Sequence, residues 1–510
     1  MLKDKNNQLS ICSILYSKIS ENHILKLIDR AIDFKFITKL VEKSYNKYYG
    51  RPAKDIEMMI KLLIIQYLYN YSDVKVIEEA SLHLAYLWFL GVNPEDEMPH
   101  PSLLAKFRVH KLQEVTLDEI IIEIVKQCVE KGIIKDTGIS IDATHTEANT
   151  FKATPERLMK RLANKIFKTY EKESGELPQE IERNIPEYQE IADHKEAKSI
   201  MKGYLEKVIE DVEKITNNEK NPKTMKAIQT AKAILSDPKF IEQKGVRSLV
   251  DQDARVGHKS KFDHFFGYKT EFIMTTGERI ITAVAVNSGE YVDGSEFEKL
   301  IELTKKTGLN IEEVFGDKAY FRKRILDIIK ETDAKAYIPV SESVYRIDEE
   351  KFNYNKDSDE WFCSEGNATT SKKHKIRETG KEIYKYYFDK EKCRNCPKRK
   401  ECISGTSVGR ILIIGINTPE FYEYSQRQKT DEFKEKYKER ACHEGKNGEL
   451  KNHHGLNRAR GYGLKSMGIQ SRLTAIAVNL KRIASMLSSK FSSHSHVFKK
   501  ILSFKVNFSY

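Results

Sequence analysis

The chain has 510 residues, which is enough for two to four domains, and its 40% apolar residues are enough to build a buried core in each. The formal net charge is +12, with the basic excess spread along the sequence, and this favours nucleic acid as the partner. The longest apolar stretch, Met58–Leu68, contains Lys61 and Gln66 and is too short to cross a bilayer, which argues against a membrane protein.

Two further properties indicate the compartment. The N-terminal residues lack the basic, apolar and small-residue regions of a secretory signal. Seven cysteines, a sparse and odd number, argue against a disulfide framework and fit a reducing environment. We therefore expect a cytoplasmic protein in which clustered cysteines are candidates for metal binding.

Residues 1–130 are predicted to form a helical N-terminal domain. A short helix is expected to begin at Ser102, a residue type that caps helix N-termini, and to carry Lys106 and Arg108 on its outside. Several short helices ending in a basic one are typical of a helix-turn-helix DNA-binding domain. A solvated basic face on an ordinary helical bundle explains the same residues equally well. The longer apolar segments at helical spacing are Ile56–Tyr69, Val74–Phe89 and Leu117–Val129.

The period changes at Gly138, where apolar and polar residues begin to alternate and place Asp142 on the polar face of a strand. Further strands are expected at Phe265–Met274 and Arg279–Val286, joined by a turn at Thr276-Gly277. The intervening residues 151–246 are rich in Lys, Glu, Ala and Leu and predict long solvated helices inserted into a sheet domain.

Strands and helices alternate after the hairpin, which predicts a mixed α/β sheet over residues 138–340. The expected elements are a helix near Ser295–Lys305, a strand Glu312–Asp317, a helix Arg322–Ile329 and a strand Ala334–Val340. Residues 341–430 are irregular and contain cysteines, which indicates a second insertion. Helices are expected to return over residues 431–487, followed by a basic tail at 488–510.

Three carboxylates on separate elements are candidate catalytic residues: Asp142 and Asp317 at strand positions and Glu444 on a helix. Hard oxygen ligands of this kind suit Mg²⁺ or Mn²⁺, and two such ions about 4 Å apart can catalyse phosphodiester chemistry. Gly316, just before Asp317, is expected to leave room for a metal or a DNA backbone. An isolated Asp at a strand end is more often a turn or cap residue, so the hypothesis depends on the third carboxylate.

The segment KYKERACHEGKNGELK carries Tyr437, Arg440, Glu444 and Lys451. On one continuous helix these four residues fall within an arc of roughly 60° and span about 21 Å. Glu444 would complete the metal site while Arg440 and Lys451 hold phosphates on either side of it. A charged surface helix with an Arg440–Glu444 pair is the alternative.

The spacing Tyr-x2-Arg-x3-Glu-x6-Lys resembles the signature of one large group of DDE transposases from bacterial insertion sequences, and all four positions are filled. SIDATHTEA at 140–148 and FGDKAY at 315–320 resemble the strands that carry the first and second Asp of that family. The similarity extends, in the same order, over residues of about 20 to 487. Further similar segments are GRP at 50–52, the Leu62–Tyr69 helix, MPHPSLLAKFR at 98–108, and DQDARVGHKS with FFGYKTEF within 251–272.

The resemblance implies an RNase H-like catalytic domain, a divalent metal, cleavage at terminal inverted repeats and joining of the ends to target DNA by a homodimer in a bacterial nucleoid. Asp142, Asp317 and Glu444 would be the metal ligands. The residues that would bind DNA are Tyr437, Arg440, Lys451 and Lys318, with Arg458 and Arg460 in the basic C-terminal region and Lys106 and Arg108 in the N-terminal domain.

One departure concerns Gly445 and Gly448, which lie inside the expected Glu444 helix and cost about 1 kcal/mol each relative to Ala. That helix is therefore expected to be short or bent, and Glu439 and Glu449 are the nearest substitutes for Glu444 if the register differs.

The second insertion contains Cys363, Cys393, Cys396 and Cys402. Four thiolates can hold a structural Zn²⁺, although the spacing between the last two is wider than in most zinc knuckles, so free thiols are an equal alternative. Trp361 is expected in a core rather than on a base. For Asp251, Asp253 and His145, structural hydrogen bonds are expected. Two other functions remain open: a DNA-binding protein without catalysis, and a nuclease that cuts without joining.

Overall fold

A computed structural model describes residues 13–45, 53–238, 240, 245–260, 262–403 and 407–505, with side chains described as far as residue 488. The segment 50–52 lies outside the described residues, so the predicted GRP feature there is not compared. Within the described part, no helix combines the length and apolarity needed to cross a membrane.

In the N-terminal region, the described residues form eight α-helices. Asp55 caps α4 by accepting a hydrogen bond from the Met58 amide at 2.9 Å, and Ser72 caps α5 through the Lys75 amide at 3.1 Å. Gly91 ends α6 in the left-handed conformation, with φ of 67°. The helices are α1 Ser13–Tyr16, α2 Ile24–Ala31, α3 Phe36–Val41, α4 Ile56–Leu68, α5 Asp73–Leu82, α6 Leu84–Leu90, α7 Ser102–His110 and α8 Glu114–Glu130.

A six-stranded mixed sheet follows, with strand order β2-β3-β1-β5-β6 and with β4 paired to β3 beside β2. β1 is antiparallel to β3 and parallel to β5, and β5 is parallel to β6. The predicted mixed α/β sheet is therefore present, although β5 and β6 are shorter than expected. The strands are β1 Gly138–Glu147, β2 Arg255–His258, β3 His264–Thr275, β4 Ile281–Ser288, β5 Glu313–Phe315 and β6 Lys335–Tyr337.

Two helices pack with this sheet, α12 Phe297–Lys305 and α13 Lys323–Glu331, close to their predicted positions. The described residues of the first insertion include three long helices with their own hydrophobic core, as its composition predicts. They are α9 Pro155–Ser174, α10 His194–Ile215 and α11 Pro222–Leu235.

The second insertion forms small sheets and short helices around a core that includes Trp361. That side chain is fully buried and packs against the rings of Tyr386 and Tyr422, so the predicted core role is confirmed. The elements are β7 Phe352–Asn355, β8 Glu360–Cys363, β9 Thr369–Ile376, β10 Glu382–Phe388, α14 Lys390–Arg394, α15 Arg399–Cys402, β11 Ile411–Gly415 and α16 Thr418–Gln428.

The C-terminal segment begins with α17 Asp431–Tyr437, a 3-10 turn Lys438–Ala441 and α18 Cys442–Asn452. The last helix, α19, covers Gly463–Lys505, so it begins close to the expected position and continues into the predicted tail. Asp251 and Asp253 accept hydrogen bonds from the first amides of α19, at 3.3 Å and 2.8 Å, which confirms their structural roles.

One hydrophobic core joins the N-terminal helices, β3, β4 and α19. The N-terminal helices, predicted as a domain of their own over residues 1–130, pack against β3, β4 and α19 in this core. Arg472 shows how close this packing is, because its guanidinium is 1% exposed and pairs with Asp118 at 2.7 Å and Glu114 at 2.8 Å. Partners distant in sequence, such as these, are not visible in local periodicity.

Candidate active site

Asp142 lies on β1 two residues beyond the point where pairing with β5 ends. The last paired residues are Ser140 of β1 and Phe315 of β5, so Asp142 and Asp317 follow them by the same two positions. Since the two strands are parallel, both carboxylates lie at the same edge of the sheet. The structure therefore brings together the first two predicted site residues.

Backbone amides orient both carboxylates. Asp142 Oδ1 accepts a hydrogen bond from the Ala143 amide at 2.9 Å, and Asp317 Oδ1 accepts one from the Ala319 amide at 2.8 Å. Gly316 has a different role from the one predicted. A Cβ there would lie 3.3 Å from Tyr320 and 3.4 Å from Ile338, so protein side chains fill the room expected for a metal or DNA backbone.

The segment 431–452 faces this edge of the sheet, but it is not one regular helix. The 3-10 turn Lys438–Ala441 separates Tyr437 from Glu444, so the single helical face predicted for these residues is interrupted. α18 itself continues through both glycines, and a Cβ at either would meet no atom within 4 Å. The predicted irregularity therefore lies before Glu444, not at the glycines.

Two side chains from this segment reach Asp142. A guanidinium nitrogen of Arg440 lies 3.6 Å from Asp142 Oδ2, and Asn447 Nδ2 lies 3.5 Å from the same oxygen. One helical turn further along α18, Lys451 Nζ lies 3.1 Å from Nδ1 of His145 on β1. α18 thus lies across β1 with its cationic and amide groups toward the strand.

Glu444 lies on the same stripe of α18 as Asn447 and Lys451, because residues three and seven positions apart share a helix face. Its side chain is exposed and forms no ion pair or hydrogen bond among the described residues. The two substitutes considered are engaged elsewhere. Glu449 pairs with Lys446 at 2.9 Å and Lys481 at 3.0 Å, and Glu439 is 3.2 Å from the Thr276 hydroxyl.

The electrostatics around Asp142 favour a cation. Burial raises the pKa of Asp142 to about 6, and the nearby carboxylates of Asp317 and Asp293 act in the same direction. Arg440 and the Ala143 amide oppose the rise but do not cancel it. A divalent cation would relieve this accumulation of like charge, so the two aspartates fit a hard metal ion.

A complete ligand set is not preformed. In the ranges the structure describes, no three His, Cys, Asp or Glu side chains are grouped so as to hold a metal ion. Asp142 and Asp317 fit such a site, and Glu444 would have to turn toward them. Polar atoms around Asp142 also lack partners: Ser140 Oγ, Arg440 Nε and Asn447 Oδ1 are buried, and none is hydrogen-bonded within the described chain.

Lysine side chains lie near His145, three residues beyond Asp142 on β1. Lys451 is half-buried, and burial together with nearby Lys259 lowers its pKa to about 8. His145 packs against the ring of Phe265, and burial and the adjacent Lys451 lower its pKa to about 4. A neutral histidine therefore holds a lysine that has no carboxylate within salt-bridge distance in the described chain. The hydrogen bond of His145 with Lys451 is a structural contact, the role expected for His145 from the sequence.

The other residues predicted to contact DNA have varied surroundings. Arg458 is exposed beside the end of β1, and Lys106 is exposed on α7. Lys318 is 62% exposed and 3.8 Å from Glu342. Arg108 forms an ion pair with Asp73 and donates to Gln66 at 3.1 Å, which holds it within the fold.

Tyr437 is half-buried and stacks on Phe433, with ring centroids 5.9 Å apart. Burial raises the pKa of its hydroxyl, and neighbouring Arg440 opposes the rise. The ring thus packs against the protein, while its position next to Arg440 keeps the hydroxyl near the carboxylates.

The four cysteines of the second insertion lie near one another. Burial raises the pKa of the Cys402 thiol, and the neighbouring Cys393, Cys363 and Cys396 add to the rise. All four are free thiols. They are gathered but not arranged as a tetrahedral site, so the zinc prediction stays a prediction.

Comparison with known proteins finds two matches. Residues 13–110 match the family described as a transposase domain (DUF772), and residues 362–484 match the family described as a transposase DDE domain. The two matches support a DNA transposase function for this chain. The matched DDE region includes Glu444 and its stripe, while Asp142 and Asp317 lie between the two matched regions. No curated protein and no solved structure matches the chain.

Three residues near the candidate site were not predicted from the sequence: Asn447, Lys259 and Asp293. Asn447 is three residues from Glu444, so helical spacing was a signal that could have found it. Lys259 and Asp293 reach the site only through the pairing of β2, β3 and β4, which local spacing does not reveal.

Proposed function

We propose that this chain is a DNA transposase that cleaves at the terminal inverted repeats of its insertion sequence and joins the ends to target DNA. The observation that carries the proposal is the meeting of Asp142 and Asp317 at one edge of the sheet, under the stripe of α18 that carries Glu444. The matches to two transposase domains support the same assignment. The finer assignment is to the group with the Tyr-Arg-Glu-Lys signature.

The fold proposed for residues 138–340 and 431–487 is RNase H-like, interrupted by the two insertions. The central strand β1, antiparallel to β3 and parallel to β5, supports this proposal. For the N-terminal helices we propose a DNA-binding role of the helix-turn-helix type, with Lys106 exposed on α7. Arg108 would stabilise this helical domain through its ion pair with Asp73.

Asp142, Asp317 and Glu444 would hold two Mg²⁺ or Mn²⁺ ions. Bound there, the ions would activate a water or a 3′ hydroxyl and stabilise the leaving oxygen of the phosphodiester. The three carboxylates would hold the ions at the end of the sheet, and Asn447, whose amide nitrogen lies 3.5 Å from Asp142 Oδ2, would keep Asp142 oriented. Arg440 is 22% exposed beside Asp142, so its guanidinium can donate to a phosphate oxygen at the cut position.

Lys451 would hold the neighbouring phosphate of the transposon-end strand, because it lies one helical turn beyond Asn447 and lacks a carboxylate partner in the described chain. The hydroxyl of Tyr437 would donate to the same strand. Lys318, Arg458 and Arg460 would extend this contact along the DNA. We propose a homodimer on paired ends, in the nucleoid of a bacterium.

The test is strand transfer in vitro with purified protein, Mg²⁺ and the DNA that flanks the gene. Cleavage and joining at inverted repeats are expected, and Asp142→Ala, Asp317→Ala and Glu444→Ala should each abolish cleavage while DNA binding persists. Full activity of Glu444→Ala would overturn the third ligand. Binding without cleavage would indicate a DNA-binding protein, and cleavage without joining a nuclease.

A further inference from the structure

A concave surface separates the N-terminal helices from the beginning of α19. It has a volume of about 700 Å³ and is formed by α4, α5 and α7 on one side and by residues 460–470 on the other. We call it the basic hollow. The side chains used below are Tyr67, Asp73, Arg108, Arg460, Tyr462 and Lys465.

The charge of the basic hollow is positive. Arg108, Arg460 and Lys465 contribute three cations, and Asp73 is the one carboxylate among its lining residues. Arg108 and Asp73 form an ion pair. Two cations therefore remain without a compensating carboxylate in the lining.

Neutral groups hold these two cations in place. Arg460 donates to the Tyr71 carbonyl at 3.0 Å and to Asn70 Oδ1 at 2.6 Å, and its guanidinium lies 4.5 Å from the ring centre of Tyr67. Lys465 Nζ donates to the Val109 carbonyl at 3.2 Å. The contacts fix both side chains without neutralising them, which is the arrangement expected of an anion site.

The basic hollow is connected to the strand that carries Asp142. At the end of β1, the Glu147 amide donates to the Asn457 carbonyl at 3.0 Å, and the Ala459 amide donates to the Glu147 carbonyl at 2.8 Å. Arg460 follows directly. Glu147 lies five positions beyond Asp142 on β1, a distance of about 17 Å, or about five base pairs of B-DNA.

We propose that the basic hollow binds the phosphate backbone of the same DNA duplex that is cut at Asp142, about five or more base pairs from the cut. Arg460 and Lys465 each contact a phosphate, and the exposed ring of Tyr462, at 52% exposure, packs on the adjoining sugar. This inference rests on the proposed function for the identity of the DNA. It adds that the N-terminal helices and α19 form one binding surface.

The test measures the salt dependence of DNA binding by the full chain carrying Asp142→Asn, which prevents cutting during the measurement. Lys465→Gln should reduce the slope of log K against log salt by about 0.9, and Arg460→Gln with Lys465→Gln by about 1.8. Lys226→Gln is the matched control, because Lys226 is exposed on α11 in the first insertion.

A second arm varies DNA length. On a duplex that extends only about three base pairs from the cut, Arg460→Gln and Lys465→Gln should leave the salt slope of binding unchanged. On a duplex that extends about twelve base pairs from the cut, both substitutions should reduce the slope again. Because Arg460 also holds Asn70, its variant is checked by thermal unfolding, and Lys465→Gln alone carries the test if that variant unfolds.

Slopes equal to that of Lys226→Gln on long DNA would overturn the basic hollow as a DNA site while leaving the transposase proposal intact. An equal effect on short and long duplexes would overturn its position along the DNA. If the unmodified chain neither binds nor cuts its own flanking DNA, the proposed function itself fails, and this outcome is distinct from the other two.

Discussion

The guanidinium of Arg440 lies 3.6 Å from the carboxylate of Asp142, although the two residues belong to a 3-10 turn and a central strand far apart in sequence. This contact partly offsets the burial that raises the pKa of Asp142 to about 6. The DNA contact proposed for Arg440 therefore has to be tested separately from its contact with the Asp142 carboxylate.

Replacing Arg440 with Gln should slow cleavage by about 10- to 100-fold, a range typical of losing the group that orients a metal ligand. Without the guanidinium the pKa of Asp142 rises further, so more of this carboxyl is protonated. Because Mg²⁺ competes with that proton, the cleavage rate should recover in part at higher Mg²⁺ concentration. The measurement is the cleavage rate against Mg²⁺ concentration. Lys438→Gln, two residues earlier and paired only with exposed Glu435, is the control and should leave the rate unchanged.

Glu444 and Glu449 should respond in opposite ways to conversion to Gln. Glu444 is exposed without a partner in the described chain, so Glu444→Gln should change the free energy of unfolding by less than about 0.5 kcal/mol while abolishing cleavage. Glu449 neutralises Lys446, whose side chain is 2% exposed, so Glu449→Gln should cost about 1–3 kcal/mol and spare the chemistry. Urea unfolding and a cleavage assay measure the two effects. Loss of cleavage in Glu449→Gln alone would move the third ligand to Glu449.

The two glycines of α18 offer a matched pair. A Cβ at Gly445 or Gly448 meets no protein atom within 4 Å, so Ala at either position should stabilise the helix by about 1 kcal/mol. Gly448 lies on the same stripe of α18 as Glu444, whereas Gly445 lies about 100° around the helix from Glu444. Gly448→Ala should therefore slow cleavage by roughly tenfold or more, through misplaced DNA, while Gly445→Ala keeps activity. Equal activity of the two variants would show that DNA does not approach this stripe.

His145 should make the fold sensitive to acid. Burial and the adjacent Lys451 lower its pKa from 6.5 to about 4, so the unfolded chain takes up a proton at a higher pH than the folded chain. The contribution is fully present above pH 6.5 and is lost as the pH falls toward 4. Unfolding free energies measured between pH 4 and 7 should fall less steeply for His145→Gln than for the unmodified chain. Parallel curves would contradict the assigned contact with Lys451.

The cysteine cluster should bind one Zn²⁺ per chain. Cys363, Cys393 and Cys396 lie close enough to Cys402 to raise the pKa of its thiol further, and four thiolates can hold a structural Zn²⁺. Metal analysis should find zinc in the purified protein and lose it in Cys393→Ser. Cys128→Ser, which changes a buried thiol in α8 outside the cluster, should retain zinc. A protein without zinc would assign the cysteines as reduced thiols.

Much of the mixed sheet was predictable, because alternation at Gly138 and the turn at Thr276-Gly277 are local signals. Alternation also placed Asp142 and Asp317 at strand positions, but that the two would meet was implied by the family resemblance and not by the periodicity. The partners of charged residues were not. Periodicity places Arg108 and Arg472 on helices, but only tertiary packing decides that one pairs with Asp73 and the other is buried against Asp118.

The 3-10 turn before Glu444 was missed for a similar reason. Helical spacing assumes a constant rotation of about 100° per residue. The segment from Tyr437 to Glu444 departs from that rotation in the 3-10 turn Lys438–Ala441, close to β5. Lys436 pairs there with Glu313 at 2.9 Å, a contact that requires knowledge of the sheet.

α19 passes through a core that it shares with the N-terminal helices and with β3 and β4. Among the described residues, a continuous core of this kind joins the part that would recognise a sequence to the part that would cut. The protein would then fix the number of base pairs between the recognised site and the cleaved bond. Inserting base pairs into that interval should abolish cutting rather than shift its position.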